Sequence, residues 1–263
     1  MNRAQAYGDG LFETMRVSNG KVLHPEEHYF RLLAGMRILR MPIPSSWNPD
    51  GWLAELKLGE LDPTKDYRVR FQVSRTGSLG YAPGADAVVA WSVEATALDG
   101  RGYPLPVLRP ELGLFQEHRK SEGLLSTIKS SSALLYVLAA GFAREQRVDD
   151  VLILNQENNV LEASRSNVML LQGNTLTTPP LRSGALRGVM REVVLGLAPR
   201  LGLEVREELF SPFALQQADE VWLTNSINGV AAVRQFRKTT YGSAAAEAMQ
   251  KLIQERSEVA QFQ

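Results

Sequence analysis

Apolar and polar residues in the first half of the chain follow two different periods. Residues 25–40 begin with a proline and two glutamates and repeat apolar side chains at helical spacing. This pattern predicts a helix whose inner face carries Phe30, Leu33, Met36 or Ile38. A second short helix is predicted over 47–58. Residues 67–75 alternate with period two, which predicts a strand with one polar or functional face, and further strands are predicted at 87–95, 105–108 and 113–115.

The second half of the chain alternates between predicted strands and predicted helices. Strands are expected at 151–154, 168–171 and 220–224, and helices at 132–147, 186–201 and 244–256. A charged, glycine-containing stretch separates the halves and is expected to be a linker. The fold class is therefore expected to be α+β, with a small α+β domain over 1–115, a linker over 116–125 and a larger β-rich domain with packed helices over 126–263.

Composition excludes several classes of protein. The chain has 29 lysine and arginine residues and 29 aspartate and glutamate residues. Its formal net charge is therefore zero, which gives no electrostatic preference for nucleic acid or an anionic membrane. Cysteine is absent, and the three histidines are too scattered for a histidine site, so no metal is expected. No run approaches a membrane span, and the first residues lack the apolar core of a signal peptide. A soluble cytoplasmic protein is expected.

Two charged residues in the second half are candidates for chemistry. Lys129 stands between a β-like run and an apolar helix, and Glu162 ends an apolar strand. A lysine held where water is scarce is a usable nucleophile, and a carboxylate in the same site needs a cationic partner. A cofactor with a pyridinium nitrogen would provide that partner. On residue type alone, a solvated lysine at a turn and an edge carboxylate are the commoner alternatives.

Six motifs in order resemble the fold-type IV enzymes that depend on pyridoxal 5'-phosphate. This group comprises branched-chain aminotransferases, D-amino-acid aminotransferases and 4-amino-4-deoxychorismate lyases. The motifs are YGDGLFETMRV at 7–17, HYFRL at 28–32, IKS at 128–130, EASRSNV at 162–168, GALRGVMR at 184–191 and DEVWLTNS at 219–226. Each motif is weak alone, and the six in family order are a strong signal.

The resemblance assigns a role to each candidate residue. It implies that Lys129 binds pyridoxal phosphate as a Schiff base and moves protons, with Thr14 beside the reacting carbon. It implies that Glu162 pairs with the ring nitrogen. The residues that it places on the cofactor phosphate are Arg31, Leu186, Arg187 and Ser226, the middle two through free backbone amides at a helix start.

The substrate is less defined than the cofactor. Arg165, Arg75 and Arg16 are candidates to bind a substrate carboxylate, and pairing with a nearby acidic side chain is the alternative for each. The opening motif resembles lyases more than branched-chain enzymes, and Leu134 stands where the latter have tyrosine. The expected function is therefore 4-amino-4-deoxychorismate lyase, which releases 4-aminobenzoate and pyruvate. The alternatives are an amino-acid transaminase, D-specific or broad, and a cofactor-binding module without turnover. The resemblance also implies a homodimer acting on small amino and oxo acids, with no nucleic-acid partner.

Overall fold

The computed structural model describes residues 2–77, 80–85 and 87–259 and divides the chain into two compact units. The first unit comprises the chain up to Gly102 together with Ile128–Ala133. The second comprises Tyr103–Thr127 and the chain from Leu134 onward. These boundaries differ from the expected ones, because residues 116–120 of the expected linker belong to the strand Glu111–Lys120 in the sheet of the second unit.

The first unit is an antiparallel sheet with helices packed against it. Its helices are α1 (Arg3–Tyr7), α2 (Pro25–Ile38) and α3 (Pro49–Glu55), and its strands are β1 (Gly10–Ser18), β2 (Lys21–Val22), β3 (Asp66–Arg75) and β4 (Val89–Leu98). The strand order is β2-β1-β3-β4. Proline opens α2 and α3, where its missing N–H costs no hydrogen bond, and the Asn48 side chain caps α3. The core between sheet and helices contains Met15, Phe71, Leu32 and Trp52.

Helix α2 confirms the predicted element but not every residue of its predicted inner face. Its buried apolar side chains are Tyr29, Leu32, Leu33 and Met36, whereas Phe30 is 59% exposed. Leu33 and Met36 were therefore assigned correctly, and Phe30 was wrong. The predicted strand at 67–75 is confirmed as β3, where buried and half-buried or exposed positions alternate over most of the strand.

The second unit is built on one large mixed sheet. Its strands are β5 (Glu111–Lys120), β6 (Asp150–Asn155), β7 (Val160–Ala163), β8 (Asn167–Gln172), β9 (Thr175–Thr178), β10 (Glu204–Glu207), β11 (Glu220–Asn225), β12 (Gly229–Ala232), β13 (Gln235–Phe236) and β14 (Thr239–Thr240). They follow the order β10-β9-β8-β7-β6-β5-β13-β14, and β11 pairs with both β8 and β12. Residues 105–108, which the structure describes, form no strand, since prolines at 104 and 106 cannot donate ladder hydrogen bonds.

Three helices complete the second unit: α4 (Leu134–Gln146), α5 (Val189–Leu197) and α6 (Ala244–Val259). Only Ala139 and Ala143 of α4 are buried, and Leu134, Val137 and Leu138 are more than half exposed. The apolar residues of α4 therefore do not all belong to a core. In the part of the chain that is described, no helix is long and apolar enough to cross a bilayer. The same residues contain no cluster of three His, Asp or Glu side chains that could hold a metal.

Candidate active site

The backbone around Lys129 is bound to the sheet of the first unit. The N–H of Phe12 donates to the carbonyl oxygen of Lys129 at 2.9 Å, and the N–H of Ser131 donates to the carbonyl oxygen of Gly10 at 2.8 Å. Ile128 packs in the core of this unit. The expectation that the larger domain carries the lysine is therefore corrected, because these bonds place the segment Ile128–Ala133 on β1.

Two glycines of the first motif allow this close approach. A Cβ on Gly10 would lie 2.8 Å from the Ser131 hydroxyl oxygen and 2.9 Å from the Val73 carbonyl oxygen. Gly8 has a φ of 70°, and a Cβ there would lie 3.0 Å from that of Ser132. Any larger residue would push the lysine segment away from β1.

The side chain of Lys129 lies on an aromatic ring that a second cation shares. Its Nζ is 4.4 Å from the centroid of the Phe12 ring, and the Arg70 guanidinium carbon is 3.9 Å from the same centroid. Thr14 is the direct cross-strand partner of Arg70, so the two share one face of the sheet. Burial, followed by the charge of Arg68, lowers the pKa of the Arg70 guanidinium from its ordinary value. This face therefore carries an amine, a hydroxyl and a half-buried cation.

Arg31 is held by a buried carboxylate on the opposite, helix-bearing face. Its Nε donates to Glu13 Oε1 at 2.8 Å, and its Nη2 donates to Glu13 Oε2. His28 contributes a third contact, with Nδ1 2.6 Å from Glu13 Oε2. Burial alone would raise the pKa of Glu13, but the Arg31 charge and the His28 hydrogen bond outweigh it and lower the pKa to about 2. The result is a fixed guanidinium fork, the geometry that suits a phosphate.

Glu162 lies on β7 in the second unit and is only 2% exposed. Its Oε1 accepts from Lys120 Nζ at 2.6 Å and from the Tyr136 hydroxyl at 2.7 Å. Its Oε2 accepts from the backbone N–H of Leu186 at 2.7 Å. Burial and the Glu162 charge raise the pKa of the Tyr136 hydroxyl well above its ordinary value, so it acts as a donor.

The loop before α5 uses its amides differently from the prediction. The N–H of Leu186 donates to Glu162, and the N–H of Arg187 donates to the Thr127 carbonyl oxygen at 3.2 Å. These two amides are therefore not free for a phosphate, which corrects the assignment of Leu186 and Arg187. The unpaired amides of a helix start belong to its first turn, and α5 begins at Val189, after Gly188 as N-cap. That turn begins three residues after Leu186, and a helix start of this kind can bind an anion.

Ser226 follows β11 in a tight turn and is half-buried. The Asn225 side-chain oxygen organises this turn by accepting the N–H groups of Ile227 at 3.0 Å and Asn228 at 2.9 Å. The Thr224 hydroxyl is buried, and within the described ranges it has no hydrogen-bond partner. The turn therefore presents small hydroxylated side chains at the end of a buried strand.

The three arginines proposed for substrate all have partners in their own unit. Arg165 pairs with Asp150 at 3.6 Å, donates to the Asp149 carbonyl oxygen and has a side chain that is 73% exposed. Arg16 forms a buried ion pair with Asp66 at 2.9 Å. Arg75 pairs with Asp9 at 3.2 Å and borders a cleft of about 810 Å³ in the first unit. For Arg165 and Arg16, pairing with an acidic side chain is therefore favoured over binding of a substrate carboxylate.

Several residues with a place in these sites were missed from the sequence. Lys120 lies at the end of a run of charged residues that resembles a linker, and only the strand pairing of β5 buries it. Tyr136 lies on an apolar helix, where an aromatic residue normally indicates core. Arg70 could have been found, since it alternates with the buried residues of a well-predicted strand.

Comparisons with known proteins find similar sequences and a similar fold. Residues 10–236 match the family described as amino-transferase class IV. The chain is 29% identical to the aminodeoxychorismate lyase of Vibrio harveyi over 88% of this chain and 84% of that protein. It is 40% identical to a protein of Thermotoga maritima named as a probable branched-chain-amino-acid aminotransferase, over 88% and 78% of the two chains. The crystal structure of 4-amino-4-deoxychorismate lyase from Pseudomonas aeruginosa superposes with a TM-score of 0.80 at 30% identity, covering 97% of this chain and 93% of that one.

Proposed function

Because the chain belongs to the class IV aminotransferase family, whose members use pyridoxal phosphate, we propose that Lys129 is the residue that binds this cofactor covalently. The observation that carries the proposal is the anchoring of Lys129 to β1 through its backbone, which leaves the amine on the Phe12 ring. A nucleophile needs this kind of fixed backbone and partly dehydrated side chain.

Each unit also carries donors or acceptors of the types that this cofactor needs. Oε2 of Glu162 accepts one N–H, so a further lone pair is available for a protonated ring nitrogen. The fixed guanidinium of Arg31, the first turn of α5 and the turn at Ser226 are the candidate phosphate ligands. When bound, the cofactor supplies an electron sink that stabilises a carbanion at the amino-bearing carbon.

The residues of the chain perform the other steps of the proposed reaction. The Lys129 amine would act as general base and acid, taking a proton from the amino-bearing carbon of the substrate and returning one later. Arg70 binds a substrate carboxylate, because it is the half-buried cation on the same Phe12 ring. Thr14, its cross-strand partner, orients the reacting group through its hydroxyl.

We propose 4-amino-4-deoxychorismate as the substrate, cleaved to 4-aminobenzoate and pyruvate. The YGDGLFETMRV motif, Leu134 and the similarity to the lyases of Vibrio harveyi and Pseudomonas aeruginosa support this choice. The second candidate is transamination between amino acids and 2-oxo acids, which the 40% identity to the Thermotoga maritima protein supports.

One experiment separates the cofactor role from the choice of substrate. Pyridoxal phosphate is added to the wild type, to Lys129→Ala and to the control Lys238→Ala, whose lysine is exposed in the second unit. After borohydride reduction, peptide mass spectrometry should find the adduct on residue 129 in the wild type and the control only. An adduct elsewhere, or none, would refute the role of Lys129.

Product analysis then tests the reaction. Release of 4-aminobenzoate and pyruvate in equal amounts supports the lyase. Formation of oxo acids from a panel of D- and L-amino acids, without 4-aminobenzoate, supports the transaminase and excludes the lyase. If neither 4-aminobenzoate nor oxo acids form although the adduct at residue 129 is intact, a binding module without turnover would be favoured.

We also propose that the enzyme is a homodimer whose interface includes the exposed apolar face of α4. Leu134, Val137 and Leu138 lie on α4 and are more than half exposed, as are Leu124 and Leu125 just before it. A patch of this kind is typical of an association surface. Val137→Lys should shift the mass measured by light scattering from dimer to monomer, and an unchanged mass would exclude this face.

A further inference from the structure

The two oxygens of the Glu162 carboxylate have different partners. Oε1 is bound by two side-chain donors, the Lys120 amine and the Tyr136 hydroxyl, at 2.6 and 2.7 Å. Oε2 is bound by one backbone donor, the N–H of Leu186. A carboxylate has about four acceptor positions, so the free capacity of this group is greater at Oε2.

Lys120 is as much a part of this arrangement as the glutamate. The Lys120 side chain is 8% exposed, and the Glu162 side chain is 2% exposed. Its amine also donates to the Ser126 carbonyl oxygen at 3.0 Å and lies 5.4 Å from the centroid of the Tyr136 ring. A buried carboxylate without a cation is strongly disfavoured, and the Lys120 amine is the cation that contacts Glu162.

We propose that Lys120 and Tyr136 are positioning residues that hold Oε1 of Glu162 and leave Oε2 for the ring nitrogen of the cofactor. The part of the inference that concerns the cofactor rests on the proposed function. The ion pair between Lys120 and Glu162 does not. It also assigns different roles to two lysines: Lys129 is the nucleophile, whereas Lys120 is the cationic partner of Glu162.

The ion pair is tested in protein from which cofactor has been removed. The Glu162 carboxylate accepts hydrogen bonds from Lys120 on β5, Tyr136 on α4 and the Leu186 amide. In Lys120→Met the carboxylate loses its cation, so it destabilises the fold when ionised and less when protonated. We expect the unfolding midpoint to fall by about 10 °C at pH 8.5 and by less than half of that at pH 5.5.

Matched variants exclude a simple packing effect. Lys238→Met changes an exposed lysine in the same unit and should leave the midpoint unchanged at both pH values. Adding Glu162→Gln to Lys120→Met removes the unpaired charge and should restore the midpoint to within about 3 °C of the wild type. If Lys120→Met does not fold, this double variant and Tyr136→Phe provide the comparison. The proposal is overturned if Lys120→Met lowers the unfolding midpoint equally at both pH values, or if the double variant does not restore the midpoint.

Cofactor titration tests the positioning role. The dissociation constant of pyridoxal phosphate, measured from its absorption band, should rise about tenfold in Lys120→Met and in Tyr136→Phe, with the adduct still on residue 129. Lys120→Arg should recover part of the affinity. Unchanged affinity in both variants overturns positioning. A wild type that forms no adduct at residue 129 refutes the proposed function itself, and the pH-dependent deficit of Lys120→Met would then still identify the ion pair.

Discussion

Replacing Glu13 by glutamine measures how strongly its buried ion pair with Arg31 stabilises the first unit. The pKa of Glu13 is lowered from 4.5 to about 2, the net result of burial, which raises it, and of the larger opposing effects of Arg31 and His28. A lowered pKa gives stability that is present above pH 4.5 and is lost as the pH falls toward 2. This difference in pKa contributes about 3 kcal/mol to the free energy of unfolding at pH 7. About 1.4 kcal/mol of that contribution should be lost by pH 3.5.

The assay is denaturant unfolding followed by tryptophan fluorescence in a background where Trp222 is replaced by phenylalanine. The signal then reports on the first unit, which contains the other three tryptophans, Trp47, Trp52 and Trp91. Glu13→Gln should lower the free energy of unfolding by about 3 kcal/mol at pH 7, and the gap should narrow toward pH 3.5. Glu26→Gln, an exposed carboxylate change on α2, is the control. The reasoning would be refuted if Glu13→Gln and its parent had the same free energy of unfolding at pH 7, or if their difference did not change with pH.

Three further substitutions test the sites. Arg31→Met should raise the dissociation constant of pyridoxal phosphate about 30-fold, because a charged phosphate contact is lost; a change below threefold in the absorbance titration would exclude this ligand. Gly188→Ala places a Cβ 1.8 Å from Asn167 Oδ1, so the thermal midpoint should fall by several degrees, and an unchanged calorimetric midpoint would contradict the contact. Arg165→Ala should change KM less than twofold because its ion pair is exposed, whereas Arg70→Met should raise KM at least tenfold; the reverse order in steady-state assays would exchange their assignments.

The sequence was sufficient for elements with a strong period and insufficient for contacts between distant segments. Strand β3 and helix α2 follow from alternation and from proline at a helix start, and both are confirmed. Phe30 was misassigned because helical spacing allows neighbouring faces, and only packing on the sheet selects one of them. The expected linker failed for a related reason, since the charged end of β5 has no period-two pattern.

The candidate site shows the same division. The motifs suggested Lys129 and Glu162 as candidates, because the residues that flank them are local in the chain. They did not identify Lys120 and Tyr136 as partners of Glu162, because these residues are 42 and 26 positions away and meet it only through strand and helix packing. The motif also did not reveal that the Leu186 and Arg187 amides bind Glu162 and Thr127, since a motif does not show where a helix begins.

The anchoring of Ile128–Ala133 to β1 makes the N-terminal unit a discontinuous piece of chain. A fragment that ends at Gly102 would lack Ile128 from its core and would leave the Phe12 amide without its acceptor. Chimeras between relatives that cross over between residues 103 and 127 would likewise combine a native β1 with a foreign lysine segment. Recombination that preserves function must therefore transfer both pieces together, although 25 residues of the other unit separate them.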